Sequence, residues 1–286
     1  MSAPPVVEGF FDPATHTVTY LVSDPDTGQA AIIDPVLDYD AASARTSTAS
    51  VDAVMRALRA SGLTLAMVLE THAHADHMTA AEHLRRTEGV PIGIGEGITA
   101  VQSIFAPLFD AHDVTPDGVA FDRLHADGDT FALGNLTVEV IHTPGHTPAC
   151  VSYRIGDALF VGDTLFMPDY GTARADFPGG DARTLYRSIQ RLLRLPDKTR
   201  IFVGHDYLPD GRADFRFETT VGKQRAHNIH LGTNEEAFVA MREARDATLK
   251  APQLILPSLQ VNIRAGAAPP PDADGRRYLR LPLNAI

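Results

Sequence analysis

The sequence has a single cysteine, Cys150, among 286 residues. That excludes an internal disulfide framework and any cysteine-rich metal site. It has no basic run either: 25 Lys and Arg stand against 36 Asp and Glu, a formal charge of −11 at pH 7. Such a balance argues against nucleic acid and against anionic membrane surfaces as partners. No uninterrupted apolar stretch reaches the roughly 18 residues that a membrane-spanning helix requires. Met1 to Phe10 carry neither a basic region nor an apolar one, so no signal peptide is expected and the expected location is cytoplasmic. What is there is globular: 44% hydrophobic and 21% charged, at a length that supports a real core in one large domain or two small ones.

Strand and helix signals alternate along the chain. Thr17–Val22 and Ala30–Ile33 flank the turn residues Asp24 to Gly28 and predict a hairpin. Val51–Ala60 places Val51, Val54, Met55 and Leu58 on one helical face, closed by Ser61-Gly62. Leu65–Leu69 reads as a buried strand leading into Glu70-Thr71-His72, and Thr79–Glu88 as a helix ended by Gly89. The pattern then recurs. Asn135–His142 alternates like a strand, Cys150–Ile155 and Ala158–Val161 form a second hairpin, and Arg200–Val203 is a further strand. Helices are predicted over Ala182–Leu195 and Glu235–Lys250, and the tail from Ala251 shows no clear periodicity. Sheets with helices packed outside them, in an α/β layered domain, follow from this order.

The histidines are unevenly placed. His72, His74, Asp76 and His77 fall within the run THAHADH, between a buried strand and a helix. Residues i and i+2 of an extended segment share a face, so His72 and His74 can point into one cavity. Imidazoles and a carboxylate converging there suit Zn, Fe or Mn. His142, Asp163 and His205 each close an apolar strand at a Gly or Pro, where a side chain can face a cleft, and join the candidate ligands. His146 is read as a packing or supporting residue, and Cys150 as a buried small hydrophobe.

These motifs, HxHxDH at His72–His77, HTPGHT from His142, GD at Asp163 and GHD at His205, resemble the metallo-β-lactamase superfamily over residues 15–230. The resemblance implies an αββα sandwich, two mixed sheets flanked by helices, with metal at one edge. It implies one metal position formed by His72, His74 and His142, and another by Asp76, His77 and His205, with Asp163 able to bridge. Residues 1–250 would form this domain and 251–286 an extension packed on it or at a subunit interface.

Within the superfamily, Gly171 to Tyr186, with Arg174, Asp176 and Phe177, is similar to the persulfide dioxygenase pattern, close to glyoxalase II. His205-Asp206-Tyr207 and the later Arg225 and Asn228 follow the same pattern, while the tail resembles a bacterial β-lactamase-like hydrolase subgroup. This branch implies one Fe(II) per chain held by His72, His142 and Asp163, and oxidation of glutathione persulfide, or a related small persulfide, by O2. By the same resemblance Tyr207, His205 and Asp76 would be catalytic, and Arg174, Arg225 and Asn228 would hold the substrate. Asp176 would fix Arg174. The alternatives are a two-metal hydrolase of glutathione thioesters, with Zn or mixed metals, and a lactonase. A homo-oligomer is compatible with the long tail.

Overall fold

A computed structural model describes residues 3–285. The first half holds β1 (Val6–Asp12), β2 (Thr17–Ser23), β3 (Gln29–Ile33), β4 (Val36–Asp40), β5 (Arg45–Ser47) and α1 (Ala49–Ala60). β6 (Thr64–Leu69), β7 (Met78–Thr79), α2 (Ala81–Glu88), β8 (Ile92–Gly95), α3 (Ile98–Leu108) and β9 (Arg123–His125) follow. The second half holds β10 (Thr130–Leu133), β11 (Leu136–His142), β12 (Val151–Ile155), β13 (Ala158–Phe160), α4 (Ala182–Leu192), β14 (Arg200–Phe202) and β15 (Glu218–Thr220). α5 (Val221–His227), α6 (Glu235–Asp246) and α7 (Ile255–Asn262) complete the chain.

Two six-stranded mixed sheets result, ordered β1-β2-β3-β6-β8-β9 and β10-β11-β12-β13-β14-β15. Strand alternation explains why they stack. Along β3, Ala31 and Ile33 join Val18, Tyr20, Val138, Val140 and Tyr153 between the sheets. Ala30 and Ile32 turn the other way, onto Val51, Val54, Met55 and Leu58 of α1. The outer face of the second sheet likewise buries Leu159 and Ile201 against Leu185 and Ile189 of α4 and Phe238 of α6. Side chains of period two on strands that are covered on both sides therefore give four layers, helix–sheet–sheet–helix. This is the αββα architecture.

The four predicted core residues of α1 are the four it buries, and the β2–β3 hairpin pairs Tyr20 with Ile33. Two features differ from the sequence reading. Thr79 lies in the short strand β7, and the α2 helix begins only at Ala81. The tail contains α7, which packs against α3 and β7.

Candidate metal centre and cavity

Three strands of the two sheets end at one edge of the sandwich and deliver its polar residues. β6 runs into Thr71 and His72, β13 into Asp163, and β14 into His205; β13 and β14 are parallel, so their ends lie side by side. Gly162, at φ +48°, allows the turn before Asp163, and a Cβ there would strike the Thr71 side chain at 2.4 Å. A fourth element is the loop between β11 and β12. Gly145 adopts φ +136°, where a Cβ would meet the Leu185 backbone at 2.3 Å, and the turn it makes presents His146.

One ligand atom each from His72, His146 and Asp163 lies within 4.8 Å of the others, and the same holds for His74, Asp76 and His77. His205 Nε2 stands 3.4 Å from both Asp76 Oδ2 and Asp163 Oδ1, and so joins the two groups. His146 Nε2 and His72 Nε2 are 3.7 and 4.0 Å from Asp163 Oδ2. These separations exceed hydrogen-bond length, yet they suit donors arrayed around a common cation. Bonds of about 2.1 Å put neighbouring donors roughly 3–3.5 Å apart. His72 Nε2, His74 Nδ1, His77 Nε2 and Asp163 Oδ1 are buried without a hydrogen-bond partner. Such orphans are costly unless a cation satisfies them, so the donor set fits a metal.

Surrounding groups fix which nitrogen faces the centre. Thr71 Oγ1 donates to Asp34 Oδ2 at 2.8 Å, so it accepts from His72 Nδ1 at 3.0 Å and leaves His72 Nε2 bare. His146 Nδ1 donates to the Arg174 carbonyl at 2.8 Å, again leaving Nε2. His74 is turned the other way: its Nε2 contacts Asp34 Oδ1 at 3.0 Å and Glu70 Oε2 at 3.2 Å, so Nδ1 faces the centre. Burial disfavours a charge on His74, but Asp34 and Glu70 hold its pKa well above the imidazole range, so a metal at Nδ1 would have to displace a proton. Burial in turn pushes Glu70 up to about 7. Burial, with His74 and His146 nearby, holds His72 well below the imidazole range, in the neutral form that ligates. Asp76 resists its own burial because His205 and His77 keep it well below the carboxylate range.

The sequence-predicted residues sort plainly. His72, His74, Asp76, His77, Asp163 and His205 come together. His142 does not: it is the last residue of β11, and its Nε2 donates to the His125 carbonyl at 3.1 Å. The chain has yet to turn at that point, and the place expected for His142 is taken by His146 beyond the turn. Asp34, Glu70, Thr71 and Thr17, whose hydroxyl is 3.2 Å from His205 Nε2, also belong to the site. Only their position beside the motif strands signals them in the sequence.

A cavity of about 960 Å³ opens over Asp76, His77, His146 and Asp163. Phe166, Tyr170, Phe177 and Tyr207 supply apolar walls, while Arg174, Arg242, Arg245 and Lys250 supply positive charge. Tyr207 stacks on His205, with centroids 5.3 Å apart and planes 7° from parallel, and is 37% exposed. Arg174 grips Asp176 through two bonds of 2.6 Å, so Asp176 does fix it, and donates to the Lys250 carbonyl at 2.7 Å. Arg225 and Asn228 do not line this cavity. Arg225 on α5 pairs with Asp197. Asn228 is buried, donating to the Gly171 carbonyl and to Gln224 Oε1 and accepting from the His230 N–H. It braces the loop under Thr172 and offers nothing to a ligand. Cys150 is buried, its thiol pushed up to about 12 by burial, and is no nucleophile.

Two sheets of this order and a histidine–carboxylate edge define a metal-dependent αββα fold, and comparison with known proteins gives the family. The metallo-beta-lactamase superfamily matches residues 12–205, and the chain belongs to it. The chain is 53% identical, over 98% of its length and 99% of the relative's, to a probable metallo-hydrolase of Burkholderia pseudomallei. It is 45% identical to glyoxylase B2 of Dictyostelium discoideum, over 100% of this chain and 99% of that one. Persulfide dioxygenase ETHE1 of Mus musculus is 31% identical over 94% of this chain and 92% of its own. Among solved structures, ETHE1 from Myxococcus xanthus superposes with a TM-score of 0.73 at 31% identity, covering 92% of this chain and 100% of that one. These similarities support the branch of persulfide dioxygenases and glyoxalase II-like proteins. The chain spans 65% of the length of a beta-lactamase hydrolase-like protein of Xylella fastidiosa to which it is 52% identical. Among the described residues no helix is long and apolar enough to cross a membrane.

Proposed function

We propose that the chain is an iron-dependent persulfide dioxygenase acting on glutathione persulfide or a related small persulfide. The observation that carries this reading is the grouping of His72, His146 and Asp163, of which His146 and Asp163 line a cavity that Arg174, paired with Asp176, also lines. Similarity to the persulfide dioxygenases over most of the chain supports it.

The net reaction is R–S–S⁻ + O2 + H2O → R–SH + SO3²⁻ + H⁺. The outer sulfur gives up four electrons, O2 takes them, and the S–S bond breaks by hydrolysis. Two histidines and one carboxylate on one side of Fe(II) would leave open positions for O2 and the sulfur. The chain's own residues do the rest. The Arg174 guanidinium, held planar against Asp176 and 5.6 Å from the Phe177 ring centroid, receives a carboxylate of the carrier thiol. Phe166, Tyr170 and Phe177 exclude water from the reacting sulfur. Tyr207 offers its hydroxyl to the sulfur or to oxygen. Asp76 and His205, 3.4 Å apart, orient the water that hydrolyses the S–S bond, and the released proton passes to solvent.

One observation favours a second reading. His74, Asp76, His77 and His205 complete a further set of donors, as a two-metal thioester hydrolase requires. Metal analysis separates the two. Protein purified after growth with iron carries about one iron per chain in the first case and two zinc or mixed metals in the second.

A further inference from the structure

The segment after α6 packs Ile255, Leu259, Ile263 and Ala265 in one buried cluster with Ala73 and Ala75 of the metal loop, and bonds to that loop through Asn262. Asn262, the last residue of α7, is 3% exposed and bonds three backbone groups of that loop. Its Nδ2 donates to the carbonyls of His74 at 2.7 Å and His77 at 2.8 Å, and its Oδ1 accepts from the Thr79 N–H at 2.9 Å. Residues 74–77 belong to no strand or helix, so the backbone there lacks a ladder to hold its shape. A primary amide supplies two donors and an acceptor in one plane, which is what these three groups need.

The contacts continue past the backbone. Thr79 Oγ1 donates to Glu70 Oε1, and Glu70 Oε2 faces His74 Nε2 at 3.2 Å. Asn262 therefore holds His74 from its carbonyl and, through Thr79 and Glu70, from its ring. The segment is itself anchored: Gln102 Nε2 donates to the Ile263 carbonyl at 2.9 Å, and Arg264 pairs with Asp113 at 2.7 Å. Gly266 at φ +93° lies against the Thr79 carbonyl, where a Cβ would approach to 2.9 Å.

We propose that Asn262 is a positioning residue for the metal centre: its amide sets the path of residues 74–79 and so aims His74, Asp76 and His77. The role rests on the reading of these residues as metal ligands, not on the reaction they serve. It also makes the C-terminal segment part of the site.

The test uses the full chain, with Co(II) as the probe and neither persulfide nor O2. Co(II) affinity is read by chelator competition, site geometry by the visible Co(II) spectrum, and folding by circular dichroism and metal-free melting. Asn262→Ala and the isosteric Asn262→Asp, which turns a carboxylate towards two carbonyls, should bind Co(II) about 10–100-fold more weakly, with an altered spectrum. Gln102→Met removes a comparable buried bond to the same segment without touching the loop. It should melt lower yet keep the wild-type affinity and spectrum. Wild-type Co(II) binding in either Asn262 variant overturns the proposal, as does a parallel loss in Gln102→Met. If the alanine variant does not fold, the aspartate variant decides. A wild-type chain that binds no Co(II) overturns the metal-centre reading along with it, whereas failure of the dioxygenase chemistry leaves this result standing.

Discussion

Asp34 Oδ1 lies 3.0 Å from His74 Nε2, and the same carboxylate accepts the N–H and the hydroxyl of Thr71. Through Thr71 it also orients the His72 ring. One buried acid thus sets which nitrogen of two neighbouring imidazoles faces the centre, although it comes from β3's end and not from the histidine motif. His74 holds it below the carboxylate range despite burial. Asp34→Asn removes the charge and keeps the shape. It should lower metal affinity by about 10–100-fold, measured by chelator competition, with the fold intact by circular dichroism.

His146 and His142 make a paired prediction. His146→Ala should bind much less iron than the wild type after growth with iron, because its Nε2 faces Asp163 and its ring packs beside His72. His142→Ala should retain it, since that ring is committed to the His125 carbonyl. Elemental analysis of the two purified variants checks both, and the opposite pattern would restore His142 as a ligand.

Arg174→Ala should raise the KM for glutathione persulfide by about one to two decades, the worth of a charge-assisted bond of roughly 1.5–3 kcal/mol. Iron content should not change. Arg225→Ala should leave KM where it was, because Arg225 pairs with Asp197 away from the cavity. Steady-state kinetics on both variants, beside their metal content, tests the placement of the carrier.

His230 gives a pH dependence with a defined sign. Burial, then Arg242 and Arg245, lowers its pKa to about 4, and the neutral ring accepts from the Thr172 N–H at 3.1 Å. Unfolded, the ring titrates near 6.5. Above that pH both states are neutral and the contribution is full. As pH falls from about 6.5 to about 4, the unfolded chain binds a proton that the folded chain refuses, and stability drops. Urea melts across that window should show a shallower drop for His230→Gln than for the wild type.

Much of the architecture is legible in the residue order because period-two and helical patterns report burial directly. Val51, Val54, Met55 and Leu58 show this, and so does the Thr17–Ile33 hairpin. The run His72–His77 is legible because four candidate ligands, three His and one Asp, crowd into six positions. His142 is misplaced by the sequence because a strand end does not say where the following turn carries the chain; the turn at Gly145 brings His146, not His142, into the group with His72 and Asp163. α7 was hidden by Pro257 and its weak amphipathicity, and with it Asn262, whose partners are backbone groups that leave no pattern. Arg225 and Asn228 matched a family pattern, but Asp197 and the Gly171 carbonyl claim them.

Oxygen uptake is the most direct measurement. With iron-loaded protein in an oxygen electrode, glutathione persulfide should draw O2 and release sulfite in equal amounts, while S-lactoylglutathione under nitrogen should remain intact. Sulfur oxygenation cannot proceed without O2, and thioester hydrolysis does not need it. Rapid anaerobic cleavage of the thioester, with no oxygen drawn by the persulfide, would contradict the dioxygenase and put the two-metal hydrolase in its place.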